Sequence, residues 1–543
     1  MLAYDRESIP SLGILDKLWH SAFGTVLYDY TLKRRVPKKT GNFLINAFPG
    51  DAVSGYRFLA GSVIFDGKKY SLDSLLKESS TIPLNVLNYF DSFGWLSDLC
   101  AVKDDKSKSL AASLIIDWII RNQSWRKNTW RPEITGTRLA NWVKNFEFLA
   151  RGDDEYFENL FYSALVKQSV HLHRTFLRTE SGASRLAASK GLVFCGIFLS
   201  DSDNYLISGL DCFEGQVKKL VFPDGGHVSR NPKVQLETLL EIIEIKLALN
   251  SANIRAPAWL ETVADRMVPM VKAMRHGDGG LALFNGGSIG DPRQIDFVLE
   301  NSKKQLKPAK SAIYSGFQRM LSGKTILIFD TGINNTSVYR DTGIYGGLSF
   351  EVSFGKERLI VNCGSGDHLG DEWSEALKRP ASQSTLSLCQ EQSGFEKKLD
   401  LYKSQKTSTP SRREYDGNTV VEGEHIIELR DSPMDHRRIL SMCRGGNVVR
   451  GVDRLSGKPG VKFAIRFHLH PNIKVIPIRN FSSALLKTRK GAGWQFTIDE
   501  GCLVIEDSVY IEGLSKPRRS KQIVLYSETS SSEKIVKWIL EKI

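Results

Sequence analysis

In the stretch Asp224-Gly225-Gly226-His227-Val228-Ser229-Arg230-Asn231, an imidazole and a guanidinium stand just ahead of Pro232 and an amphipathic run. Leu236, Leu239, Leu240, Ile243 and Leu247 recur at helical intervals, which predicts a helix over Leu236 to Leu249 with Asn231 as N-cap and Pro232 at the first helical position. Positive dipole density, backbone N–H groups and Arg230 together suit a carboxylate or sulfate. His227 is the titratable group beside them and the first candidate for proton transfer. A structural alternative is that Asp224 and Arg230 pair to hold the loop while His227 caps it.

Tyr345, in a glycine-rich approach to a strand, is a second catalytic candidate, since a nearby cation can lower a phenol from its usual pKa of about 10. A tyrosine between glycines also suits stacking at a loop edge. In Phe463 to His470, alternation puts Phe463, Ile465, Phe467 and Leu469 on one face and Ala464, Arg466, His468 and His470 on the other. Arg466 and His468 are therefore candidates for binding an anionic ligand, or for a solvated sheet face. Arg138, Trp142 and Arg185, with Arg131, suit sugar stacking and anion contacts, because aromatic faces take pyranose C–H surfaces and guanidinium takes acidic groups in pairs of bonds. Trp142 lies four residues after Arg138, so the two share a helix face, and core packing is the other role open to the tryptophan. Asp435-His436-Arg437-Arg438, after Pro433, reads as a loop or strand edge; His436 there suits a pH-sensitive contact, and an exposed charged turn is the expected account.

These groups need two kinds of scaffold. From about Leu12 to Ala273 the pattern is mostly helical, with helices expected over Leu110 to Arg121, Glu133 to Leu149, Asp154 to Leu177 and Trp259 to Arg275, the last containing Pro269. From Thr325 onward alternation replaces it, with strands expected at Thr325 to Phe329, His425 to Leu429, Val461 to Leu469, Trp494 to Ile498 and Gln522 to Tyr526. Leu348 to Phe354 and Arg358 to Asn362 read as a hairpin turning at Gly355-Lys356. Ser532 to Ile543 reads as a terminal helix. The boundary is expected near residues 300 to 320, giving a helical domain over 1–315 and a strand domain over 316–543. A chain of 543 residues exceeds what one core holds, so two domains are the default.

Lys and Arg number 74 against 61 Asp and Glu, a formal net charge of +13 that favours anionic partners. No nucleic-acid reading module accompanies that charge, so no nucleic-acid partner is expected. Seven cysteines lie far apart without a Cys-x-x-Cys pair, and the His-x-His of His468 and His470 has no third ligand, so no disulfide framework and no metal are expected. Neither a Gly-x-Ser-x-Gly elbow nor a phosphate-cradling glycine loop occurs, and no cofactor is expected. The N-terminus has acidic residues where a secretory leader needs positive charge, and Gly191 to Leu199 is half the length of a membrane span. By sequence the protein is expected to be soluble and cytoplasmic unless exported by another route.

The wording of Asp341 to Gly364, DTGIYGGLSFEVSFGKERLIVNCG, resembles the opening of the C-terminal β domain of heparinase II/III-type polysaccharide lyases. Similar segments run through the chain: FGWLSDL from Phe93, WRPEITGTRLANWV from Trp130, SRLAASKGLVFCGIFL from Ser184, FPDGGHVSRNP from Phe222, YDGN from Tyr415, GVDRLSG from Gly451 and FAIRFHLHP from Phe463. The resemblance implies a multidomain α+β fold, an N-terminal incomplete (α/α) toroid followed by a C-terminal antiparallel β-sandwich, with the substrate cleft between them. It implies an acidic, uronate-containing polysaccharide as partner, cleavage by β-elimination, and a periplasmic or cell-envelope setting.

Elimination removes the C5 proton beside a carboxylate and expels the C4 oxygen, so the enzyme must neutralise the carboxylate, supply a base and protonate the leaving group. Against the family pattern, Ala183 and Ser184 stand near the place of an Asn-His pair, and Lys233 and Val234 stand where a tyrosine follows the Asp-Gly loop. Tyr345 occupies a position where members keep a histidine, and Gln383 replaces a histidine before Ser-Thr. The zinc site of some members thereby loses its ligands. The expected activity is that of a carbon–oxygen lyase. The alternative is a noncatalytic glycan-binding or envelope-assembly protein that keeps the fold without the elimination residues.

Overall fold

The computed structural model describes residues 21–34, 46, 48, 50–78, 81–150, 154–200, 202–303, 305–332, 346–389, 409–427, 433–478, 481–514 and 516–543. The chain divides into two compact units, one of residues 1–220 and 240–262, the other of residues 221–239 and 263–543. The change from helix to strand comes later, between the helix Pro292–Glu300 and the strand Ser311–Ala312.

In the first unit the expected helices appear as Asp105–Arg121, Pro132–Lys144 with Phe146–Leu149, and Glu155–Thr175. Their starts follow local chemistry: Asp104 accepts from the Ser107 N–H at 2.6 Å, Pro132 opens the second, and Asp154 accepts from the Phe157 N–H at 2.9 Å. The helix Ala183–Phe198 crosses Pro132–Lys144 at two glycines, where a Cβ on Gly191 would sit 2.3 Å from the Gly136 Cα. Only glycine at both positions allows that approach. Trp95, Trp118, Trp142, Phe93 and Phe161 fill the interior beside the crossing.

The second unit is built on two antiparallel sheets. One has nine strands in the order Leu503–Tyr510, Arg518–Glu528, Lys462–Leu469, Glu357–Val361, Phe350–Phe354, Thr325–Asp330, Phe317–Ser322, Ser311–Ala312, with Leu386–Leu388 also pairing Lys462–Leu469. The other has eight, in the order Lys474–Pro477, Ser483–Lys487, Gly493–Ile498, Glu533–Lys542, Val448–Ser456, Met434–Met442, Asn418–Ile427, Ser411–Tyr415. Their apolar faces share one core. Phe350, Val352, Phe463, Ile465 and Phe467 enter it from the first sheet, and Val421, Leu440, Val449, Phe496, Trp538 and Leu540 from the second. The expected hairpin forms over Phe350–Phe354 and Glu357–Val361, with Gly355 at φ 56° in the turn.

Two expectations are corrected. Ser532 to Ile543 is not helical: Glu533–Lys542 is a strand between Val448–Ser456 and Gly493–Ile498. Val536, Trp538 and Leu540 point inward while Ile535 and Ile539 lie on the other face, so apolar residues on both sides hide the two-residue period. Asp435 to Arg438 is likewise no exposed turn. It lies in the strand Met434–Met442, with Asp435 and Arg437 outward and His436 and Arg438 buried.

Those two inward side chains converge on Asp453. His436 Nε2 lies 2.8 Å from Asp453 Oδ1, Arg438 Nε donates to the same oxygen at 2.7 Å, and Trp538 Nε1 donates to Oδ2 at 3.0 Å. Arg438 also donates to the carbonyls of Leu348 and Ser384 at 2.7 and 2.9 Å. Burial alone would raise the Asp453 carboxyl, but Arg438 and His436 hold it well below the usual range.

Candidate active site

The loop 224–231 belongs to the second unit and is pinned from both sides. A Cβ on Gly225 would sit 2.0 Å from the Arg266 carbonyl oxygen, and one on Gly226 would sit 2.4 Å from the Ser315 Cβ, so both positions exclude a side chain. Asp224 does not pair with Arg230. Its Oδ2 accepts from the Tyr314 and Ser315 N–H groups, both at 2.8 Å, and its Oδ1 accepts from the Gly226 N–H at 3.0 Å. At the far end Asn231 caps the helix Pro232–Ser251 as expected, accepting from the Lys233 N–H at 2.8 Å.

His227 is buried. Its backbone N–H donates to Gln235 Oε1 at 2.6 Å, and its Nδ1 accepts from the Ser229 N–H at 3.1 Å. Burial pushes the imidazole down to about 3, so near neutral pH the ring is uncharged, with its proton on Nε2. The lone pair that a base would use is the one facing Ser229.

Arg230 sits at φ 55°, a left-handed conformation uncommon for a residue with a side chain. Its Nη2 is paired with Asp330, and its Nε donates to the Ser315 carbonyl at 2.8 Å. The guanidinium lies 5.1 Å from the Phe317 ring centre and leaves no room for a side chain on Gly332. Asn285 closes the arrangement, donating from Nδ2 to the Arg230 carbonyl at 3.1 Å and to Asp330 Oδ2 at 3.3 Å. Burial raises the Asp330 carboxyl and Arg230 opposes that rise. His227, Arg230, Asn231, Gln235, Met270, Met274, Ser315 and Phe317 line one pocket.

The other candidates are distributed more widely. Arg466 and His468 are in the second unit, and the face opposite the sandwich core carries them as expected. Arg466 Nη1 reaches Glu506 Oε2 at 3.3 Å. His468 is buried, with Nδ1 2.8 Å from Ser508 Oγ and Nε2 3.1 Å from the Ala381 carbonyl. This is neither a solvated face nor an open anion site. Arg138, Trp142 and Arg185 are in the first unit. Arg138 is fully buried: it donates to Gln168 Oε1 at 2.7 Å and to the Asp91 and Thr129 carbonyls at 3.0 and 3.1 Å, and lies 4.2 Å over Trp118. Trp142 is enclosed edge-on to Trp118 at 5.6 Å and to Phe93 at 5.3 Å, leaving no face for a sugar. Arg185 Nη2 donates to the carbonyls of Leu177 and Thr179. Tyr345 lies outside the described residues.

Two residues were missed. Asp330 completes the Arg230 site from 100 positions away, a distance at which no local pattern links them. His425, on the strand Asn418–Ile427, stands directly opposite His436, and Gly347 packs on its ring. Burial, then His436 and Arg230, push its imidazole to about 3, and its Nδ1 is buried without a hydrogen-bond partner. Only the strand pairing brings it in.

Among the described residues no three His, Cys, Asp or Glu side chains are grouped as a metal would need. Gln383, expected in place of a histidine, donates to the Leu377 carbonyl at 3.3 Å and packs beside Gly346. No helix among the described residues is long and apolar enough to cross a membrane.

Residues 90–304 match the heparinase II/III N-terminus family and residues 304–539 the heparinase II/III-like C-terminal family. FtsZ-localized protein C of Caulobacter vibrioides is 26% identical over 507 residues, covering 88% of this chain and 86% of that protein. Among solved structures, a heparan sulfate lyase from Pedobacter heparinus superposes with a TM-score of 0.65 at 15% identity, covering 95% of this chain and 87% of the other. A heparinase III structure gives 0.70 at 13% identity, covering 98% and 92%. At such identities the likeness shows the fold, a helical toroid followed by a β-sandwich. With both of its domain families matched in sequence order, this chain belongs to the heparinase II/III family.

Proposed function

We propose that the protein recognises an acidic, uronate-containing polysaccharide with the lyase fold but does not cleave it through His227 and Arg230. One observation carries this reading: the Arg230 guanidinium is closed onto Asp330 and Ser315, while the basic nitrogen of His227 takes the Ser229 N–H. Elimination needs a cation for the substrate carboxylate and a lone pair for the C5 proton, and here both are already engaged. An imidazole held near 3 is also far from the pKa that suits a general base at neutral pH. The net charge of +13 and the family support the acidic glycan. The relative named for its localisation with FtsZ supports a cell-associated setting.

The second reading is β-elimination itself. It is favoured by family membership across residues 90–539, by solved relatives named as lyases, and by Tyr345 as a base independent of His227. The test is calorimetric titration of heparan-, alginate- and polygalacturonate-derived chains into the protein, with ultraviolet absorbance followed in the same samples. Binding without new absorbance, unchanged in His227→Ala, is expected. A rise in absorbance that disappears in Tyr345→Phe would make the protein a lyase.

A further inference from the structure

The turn between the strands Ser311–Ala312 and Phe317–Ser322 exposes two large apolar side chains, Ile313 at 57% and Tyr314 at 58%. It is held at an unusual number of points. The Gly316 N–H donates to the Ala312 carbonyl at 2.7 Å, and the Gly316 carbonyl accepts from the Thr331 N–H and Oγ1 at 2.8 and 2.7 Å. Asp224 takes the Tyr314 and Ser315 N–H groups and, at 3.1 Å, the Ser315 hydroxyl, while Arg230 Nε takes the Ser315 carbonyl. Gly316, at φ 77°, packs so closely on Gly332 that an added Cβ would lie 2.2 Å from its Cα.

The fixed backbone therefore presents two apolar side chains that are each more than half exposed. An exposed aromatic on a mobile turn needs no explanation, but one on a turn fastened by the half-buried Asp224 and the buried Arg230 is preorganised for contact. The turn adjoins the pocket, since Ser315 and Phe317 are in its wall. The same loop that clamps it also touches the backbone of Arg266, whose side chain is exposed and has no carboxylate partner among the described residues. The backbones of exposed Tyr314 and exposed Arg266 thus both touch one glycine-rich loop.

We propose that the Ala312–Gly316 turn is a carbohydrate platform, on which Tyr314 stacks against the C–H face of a uronate ring while Arg266 takes its carboxylate. The inference rests on the polysaccharide reading above and names the residues that would do the recognising. Stacking suits tyrosine because the ring offers an apolar face at the cost of ordering two torsions, and the guanidinium fork matches a carboxylate.

The experiment titrates heparan-, alginate- and polygalacturonate-derived oligosaccharides into the full chain and its Tyr314→Ala, Tyr314→Phe and Arg266→Ala variants, with thermal unfolding alongside. For whichever probe the parent binds, Tyr314→Ala is expected to weaken affinity by about ten-fold at unchanged Tm, as for one lost stacking contact, with Tyr314→Phe close to the parent. Arg266→Ala is expected to weaken affinity and flatten its salt dependence. Parent-like binding by Tyr314→Ala overturns the platform and leaves the polysaccharide reading standing. A parent that binds none of the probes overturns that reading, and the platform with it.

Discussion

Arg138 and Arg230 are both buried arginines on which the sequence places anion binding, yet each unit uses its guanidinium differently. In the helical unit Arg138 lies over Trp118 and is held by an amide oxygen, a hydroxyl and carbonyls, with no ion pair to a carboxylate among the described residues. In the strand-rich unit Arg230 neutralises a buried carboxylate, Asp330. The first is a clasp of neutral acceptors around a cation, the second a charge pair. Residue type and spacing describe the two alike, and only the partners tell them apart.

The sharpest break of this comparison is Arg230→Met, which strands Asp330 and should cost about 3–5 kcal/mol in urea unfolding. Adding Asp330→Leu should recover most of that loss, and a double variant no better than the single would mean that the pair is not the source. Arg138→Met breaks no carboxylate contact, although the Asp91 carboxylate, which Trp118 keeps as its donor, loses a neighbouring charge, and it should cost less, about 1–3 kcal/mol. Equal losses for the two substitutions would erase the distinction.

Acid sharpens the same contrast through His171 and His227, one in each unit. Burial lowers His171 to about 4 and His227 to about 3, against an unfolded value near 6.5. The unfolded chain binds these protons first, so the stabilisation is present above pH 6.5 and is lost as pH falls toward the folded values. Removing either histidine should flatten the stability–pH curve by about 1.4 kcal/mol per pH unit, with the His227→Gln effect persisting to lower pH. A curve unchanged by both substitutions would contradict the burial. The smallest effect is expected for Asp224→Asn, which keeps one oxygen for the Tyr314 and Ser315 N–H groups and should cost about 1 kcal/mol by thermal unfolding.

Much of the scaffold was legible. The strand Lys462–Leu469, the hairpin turning at Gly355 and the Asn231 cap each announce themselves within a few residues, because alternation, a left-handed glycine and a capping amide act locally. Glu533–Lys542 was misread because Ile535 and Ile539 place apolar groups on the outer face. The site was harder. Whether Trp142 shows a face or Arg230 keeps a free fork depends on Phe93, Trp118 and Asp330, which only the folded chain brings near. Burial is a property of the assembled unit, and the amphipathic pattern of one helix does not state what covers its polar members.

The carboxylate of Asp453 has a consequence for assembly. Its two oxygens take donors from the strand on either side, His436 and Arg438 from Met434–Met442 and Trp538 from Glu533–Lys542. Shifting Val448–Ser456 by a single position would turn that carboxylate out of the interior and leave a guanidinium and an indole facing hydrocarbon. One acidic side chain therefore works as a key that fits three strands in a single alignment, so that the eight-stranded sheet has one way to close and no near neighbour to slide into.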